Sequence, residues 1–371
     1  MKRYPAYDPP EYVSWSPDPR LVAEFAATLR RDPERWALIE ALDEEFLLKL
    51  YAGLLRARLH DITLKRWVRT GVISKAWLGT GEEAATVGPV HALDRARDIV
   101  APMIRNAGAC AEMGMSVADS FRSYLATADS PSGGRDLHHG SMRWNVLQPI
   151  SHVGDMVPVI AGIALAAKLR GPGVGDRGSG LPVALTWIGD GSTKAAAAHE
   201  GLNFAAVQKV PAIYVVQNNQ VALGTRVTQH HLPGHFDDLP FAYGMWGASF
   251  DGNNVLDGWA ATSLAVSRCR ADRGPAMLVA NTFRMGGHAT HDEREARETF
   301  PAEWFAEWGR RDPIGLYEEY LKARLQDAGD RLQEVEAAVE AEILAAEQEA
   351  LRSREQAIPQ PATAVLGVYA E

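Results

Sequence analysis

The chain has 371 residues, 46% hydrophobic and 23% charged, the balance of a water-soluble globular protein long enough to bury a large core. Lys plus Arg number 38 and Asp plus Glu 47, a net charge of −9 that lacks the basic footprint of a nucleic-acid binder. The two cysteines, Cys110 and Cys269, are far apart in sequence, which excludes a disulfide framework and a cysteine zinc site.

The opening MKRYPAYDPPEYVSW has prolines and acids where a signal peptide needs an apolar run. The longest apolar run, 156–167, is shorter than the ~20 residues that cross a bilayer. The expected setting is therefore cytoplasmic and reducing, without membrane contact. Residues 1–43 read as an extended arm and a short helix. In 44–70, Phe46, Leu47, Leu50, Leu54 and Leu55 recur at helical spacing and predict a helix with one buried stripe. From residue 98 onward, β-rich runs at 98–103, 182–188, 212–217, 247–250 and 276–282 alternate with helical stretches at 157–169, 193–208 and 256–270. Such alternation predicts an α/β fold, a mainly parallel sheet flanked by helices, over residues 44–310. Residues 311–371 form a C-terminal helical extension, with Leu332, Val335, Val339, Ile343 and Ala346 as the stripe of a helix packed on the domain.

Residues 173–178 fit GxGxxG, but a helix precedes them and a strand follows, the reverse of a dinucleotide fingerprint. The more informative segment is 182–225. One strand ends in Gly189-Asp190-Gly191, and the next, a single crossover later, ends in Asn218-Asn219. Asp190 and Asn219 therefore emerge at one sheet edge on neighbouring strands. A carboxylate and an amide oxygen suit Mg²⁺, which completes its octahedron with phosphate oxygens and water. The flanking glycines let a phosphate approach the backbone, and Ser192 is expected at the start of the next helix, where the dipole favours an anion. Without a fixed-spacing partner, His138, His139, His230, His231 and His235 read as loop or surface histidines.

GDG followed by NN resembles the thiamine diphosphate motif. The runs IRNAG (104–108), ISHVGDMVPVIAG (150–162), HEGLNFAA (199–206), PAIYVVQNN (211–219), FRMGGHATHDE (283–293) and RRDPIGLYEEYL (310–321), with the closing PQPATAVLGVYAE, resemble the alpha subunit of the thiamine-dependent 2-oxo acid dehydrogenase decarboxylase component. The resemblance implies that Asp190, Asn219 and the Val221 carbonyl bind Mg²⁺, that Gly189, Gly191 and Ser192 line the diphosphate, and that Arg105 grips it in a bidentate fork. It further implies that Leu223 holds the cofactor bent, that the Val153 backbone receives its aminopyrimidine, that Ser151 is a further cofactor-binding residue, and that His288 lies over the site as a catalytic and cofactor-contacting residue.

The chain departs from the family pattern with Ile104 in place of a tyrosine, Ala289 in place of a phosphorylatable serine, and Lys194 in place of a small polar residue. Asp155 and Met156 occupy the region of a family cation site. The resemblance also implies that the glutamate acting on the pyrimidine belongs to a separate beta subunit. The expected assembly is then two alpha and two beta chains, which decarboxylate a small 2-oxo acid and pass the acyl group to the lipoyl domain of a dihydrolipoyl transacylase. Pyruvate and branched-chain 2-oxo acids stay open as substrates. An acetoin dehydrogenase alpha chain and a non-catalytic paralogue stay open as alternatives.

Overall fold

Five short runs of Val, Ile, Leu and Ala form one wholly parallel sheet in the computed structural model, which describes residues 2–171 and 180–366. The strands are β1 (Ile99–Ala101), β2 (Ala184–Gly189), β3 (Ala212–Asn218), β6 (Trp246–Asp251) and β7 (Ala276–Asn281), in the order β1-β2-β3-β7-β6. A small antiparallel hairpin, β4 (Val221–Ala222) and β5 (Thr225–Arg226), follows β3. Most of the 173–178 glycine motif's surroundings, and the motif itself, lie outside the described residues, as does the end of the closing segment.

Side chains alternate across the sheet, and both faces are apolar because helices cover both. Leu185, Trp187, Ile213 and Val215 pack with Val90, Ala261 and Ala265 on one face. Ile188, Tyr214 and Val216 pack with Val157, Ile160 and Leu202 on the other. The parallel register sets Gly189 of β2 beside Gln217 of β3, so Asp190 and Asn219 leave the sheet at the same edge.

A second core surrounds the helix Glu44–Arg69. The N-terminal segment differs from the expected arm with one helix. It forms three helices, Pro10–Val13, Pro19–Leu29 and Pro33–Glu40, and the latter two begin with proline and are capped by Asp18 and Asp32. The tail forms two helices, Pro313–Arg324 and Ala328–Gln356, separated where Asp327 takes a left-handed backbone. The two regions meet the domain at Arg58, which is fully buried. Its guanidinium bonds Glu83 Oε1 at 2.5 Å and Asp312 Oδ1 at 3.0 Å. Burial lifts the Glu83 carboxyl to about 7 despite Arg58. Glu83 Oε2 accepts from the Gly81 amide at 2.9 Å, which fixes the turn that carries Glu82.

Candidate cofactor site

Asp190 is buried at the tip of β2, where its Oδ1 accepts from the Gly191 amide at 2.6 Å and its Oδ2 is buried without any hydrogen-bond partner. Burial lifts its carboxyl to about 6, with the nearby Glu82 charge adding to the rise and Arg284 and Arg105 opposing it. An unpartnered, buried carboxylate oxygen is free to accept from a cation.

Asn219 is buried at the tip of β3. Its amide nitrogen donates to Glu82 Oε1 at 2.8 Å, so its Oδ1 faces away with only the Val221 amide near it, at 3.5 Å. Gln217 also donates to Glu82 Oε1 at 2.8 Å, and Asn106 donates to Gln217 Oε1 at 2.9 Å. This buried chain of amides ties the 104–108 turn to the tip of β3 and fixes the orientation of Asn219. Among the described residues no group of three His, Cys, Asp or Glu side chains is placed to hold a metal. A cation here would depend on one carboxylate, one amide oxygen, a carbonyl, phosphate oxygens and water, which is the habit of Mg²⁺.

The turn after Asp190 corrects one expectation. Residues Gly191–Lys194 form a short 3₁₀ turn, Ala195 is extended, and the α-helix begins only at Ala196. Ser192 therefore sits in the turn, one residue into it, and not at the start of the long helix. Gly191 is pressed against the hairpin: a Cβ there would lie 2.5 Å from the Ala222 Cβ. Leu223, at the hairpin tip, has φ +55, a conformation leucine seldom adopts, and Arg284 Nη2 donates to its carbonyl at 2.7 Å.

A cavity of about 270 Å³ opens beside this edge. Arg105, Ser151, Val153, Ser192 and His288 line it, together with Trp77 and Ile150. The structure thus gathers five of the expected residues around one hollow. Gly189, Asp190, Gly191, Asn219, Val221 and Leu223 belong to the adjoining strand tips and hairpin, and Gly191 leads directly into Ser192 on the cavity wall. Arg105 donates to Leu78 O at 3.0 Å and to His288 O at 3.2 Å. Burial pushes the His288 imidazole down to about 4, with the charges of Arg105 and Arg284 pushing the same way. His288 is therefore a neutral base at physiological pH.

His138 and His139 lie in a loop, as expected, but His139 is buried there, and burial pushes its imidazole down to about 3. His138 lines the cavity and pairs with Asp136 and Ser151. Sequence reading also passed over Glu82 and Arg284. Both are buried, and burial pushes the Arg284 guanidinium down to about 10, with Arg105 adding to the fall. The signal for Glu82 was its place in the GEE triplet, adjacent to the buried Glu83. Arg284 lay inside the FRMGGHATHDE run.

Residues 54–359 match the family model described as dehydrogenase E1 component. The chain is 31% identical over 334 residues to 2-oxoisovalerate dehydrogenase subunit alpha of Bacillus subtilis (strain 168), covering 89% of this chain and 97% of that protein. It is 28% identical over 363 residues to pyruvate dehydrogenase E1 component subunit alpha of Staphylococcus epidermidis, covering 92% of each, and matches the Staphylococcus aureus protein of that name to the same extent. The chain belongs to the dehydrogenase E1 component family, as an alpha-type subunit of the thiamine diphosphate-dependent 2-oxo acid dehydrogenases. The residues present fit that cofactor: a glycine turn pressed close to the hairpin, a buried carboxylate oxygen lacking a partner, and two arginines, Arg284 buried and Arg105 partly so, on the same side of the sheet.

Proposed function

We propose that this chain supplies the diphosphate-and-magnesium half of a thiamine diphosphate site and works with a beta subunit, as two alpha and two beta chains, in the oxidative decarboxylation of pyruvate or a branched-chain 2-oxo acid. The observation that carries this reading is the orphaned Asp190 Oδ2 beside an Asn219 whose amide oxygen is turned outward by Glu82. Asp190, Asn219 and the Val221 carbonyl hold Mg²⁺. Gly189, Gly191 and Ser192 line the diphosphate, and Arg105 neutralises it. Leu223, Ser151 and the Val153 backbone position the rest of the cofactor. Thiamine diphosphate supplies, when bound, the nucleophilic carbon and the electron sink that decarboxylation requires.

The chain's own residues do the rest. Burial, with Arg105 and Arg284, keeps His288 unprotonated, and Arg105 faces its Nδ1, so Nε2 carries the hydrogen and can donate to the carboxylate end of a small 2-oxo acid. Trp77, Ile150 and Val153 give one side of the hollow an apolar lining. Val153 and Leu223 are 63% and 60% exposed, and the neighbouring helices present Val159, Leu169, Phe204 and Val207 to solvent. These exposed apolar side chains support a beta subunit as the cover that completes the site. The acyl group would then pass to the lipoyl domain of a dihydrolipoyl transacylase, in the cytoplasm.

Co-purification with a beta chain of the same family from the same source, followed by a 2-oxo acid-dependent reduction of ferricyanide, tests the proposal. Turnover that needs thiamine diphosphate and Mg²⁺, and that is lost with the alpha chain alone, is the expected result. An assembled complex that decarboxylates neither pyruvate nor the branched-chain acids would overturn it.

A further inference from the structure

Asp136, His138 and Ser151 form a linear relay on the wall of the cavity. A carboxylate can only accept, so the 2.8 Å contact between Asp136 Oδ1 and His138 Nδ1 places a hydrogen on Nδ1. In the neutral ring Nε2 is then a bare acceptor, and it stands 3.3 Å from the Ser151 hydroxyl. Asp136 is itself held on both oxygens. The His138 amide donates to Oδ1 at 3.0 Å, and Gln148 donates to Oδ2 at 3.3 Å. His138 and Ser151 both line the hollow, and the His138 side chain is only 12% exposed. Ser151 by contrast belongs to an exposed stretch, 150–153, and among the described residues its hydroxyl makes no other hydrogen bond.

We propose that His138, oriented by Asp136, is a positioning residue that fixes the Ser151 hydroxyl and with it the 150–153 wall against which the aminopyrimidine side of the cofactor rests. The inference rests on the thiamine diphosphate reading above and adds two residues to it. With its proton committed to His138, the serine turns its lone pairs toward the hollow, where they accept from a donor on the ligand. Asp136 acts only through the imidazole, by setting which ring nitrogen carries hydrogen.

Calorimetric titration of the alpha–beta complex with thiamine diphosphate and Mg²⁺ tests this. Ser151→Ala and His138→Ala should each raise the dissociation constant about tenfold, the size of one lost hydrogen bond. The double variant should be no weaker than either single one, because both remove the same interaction. His138→Gln keeps an acceptor near the Nε2 position and should stay within about threefold of wild type. Asp136→Asn should show a loss between these limits. Losses that multiply in the double variant, or a glutamine as damaging as alanine, would overturn the inference and leave the parent reading standing. A wild-type complex that does not bind the cofactor would overturn both.

Discussion

Asn219 donates a 2.8 Å hydrogen bond to Glu82, and this one contact sets the direction of the amide. The nitrogen is held by a carboxylate that is fully buried, so the oxygen is left for a cation. Glu82→Ala frees the amide to turn. Removing such an outer support typically costs 10–100-fold in metal affinity. The concentration of Mg²⁺ that half-saturates cofactor binding in the alpha–beta complex should rise by about that factor, with the fold retained. An unchanged Mg²⁺ requirement would show that Glu82 does not orient Asn219.

Asp190 gives the opposite trade between stability and function. Its carboxyl is raised to about 6 by burial, so the folded chain holds that proton to higher pH than the unfolded chain does. Between the ordinary carboxylate range and pH 6, stability therefore falls as pH rises, and above pH 6 the full cost of the buried charge is present. Asp190→Asn removes the cost. In EDTA at pH 8 the variant should melt about a degree or two above wild type, with the gap shrinking toward pH 4. Mg²⁺ with thiamine diphosphate should then stabilise wild type and leave the variant unmoved. Thermal melts across pH, with and without Mg²⁺, check both halves.

His288 titrates in the reverse sense. Its imidazole is pushed down to about 4 by burial and by Arg105 and Arg284. The unfolded chain takes up its proton at higher pH, so the contribution of this group falls as pH drops from about 6.5 to 4. Histidine NMR of the complex should show a neutral His288 ring down to about pH 4. Arg105→Gln should raise the midpoint while leaving burial in place. A midpoint that stays put would assign the whole shift to burial.

The five strands were legible because a sheet covered on both faces needs uninterrupted apolar runs, and Ala184–Gly189 and Ala212–Asn218 are such runs. The pairing of Asp190 with Asn219 at one edge was legible for a topological reason: a strand, one helix and a parallel strand return the chain to the same end. The network around Glu82 was not. Asn106, Gln217, Asn219 and Glu82 come from three separate segments, and nothing local in any of them reports the others. The helix start is not legible because Ala195 is extended although it opens an alanine run whose propensity favours helix throughout. The burial of His139 was not legible because polar neighbours in sequence say little about depth, and the loop that carries it folds under Ser120 and His60.

A close approach between the glycine turn and the hairpin gives a sharp test of the turn. Gly191 does not use a left-handed backbone, so an alanine there is conformationally tolerable. Its Cβ, however, would fall 2.5 Å from the Ala222 Cβ, and one of the two segments must move. The hairpin that would move carries Val221 and Leu223. Gly191→Ala should therefore weaken thiamine diphosphate binding by roughly tenfold or more, since an ångström of displacement is enough to misplace a ligand group. Ala222→Gly removes the opposing methyl. The pair of substitutions together should recover binding to within about threefold of wild type, a compensation that only direct contact gives. If Ala222→Gly fails to rescue, the defect of Gly191→Ala lies in the diphosphate cradle and not in the position of the hairpin, and titration of the double variant with inorganic pyrophosphate separates the two: a cradle defect weakens pyrophosphate as well, whereas a displaced hairpin leaves it bound as in wild type.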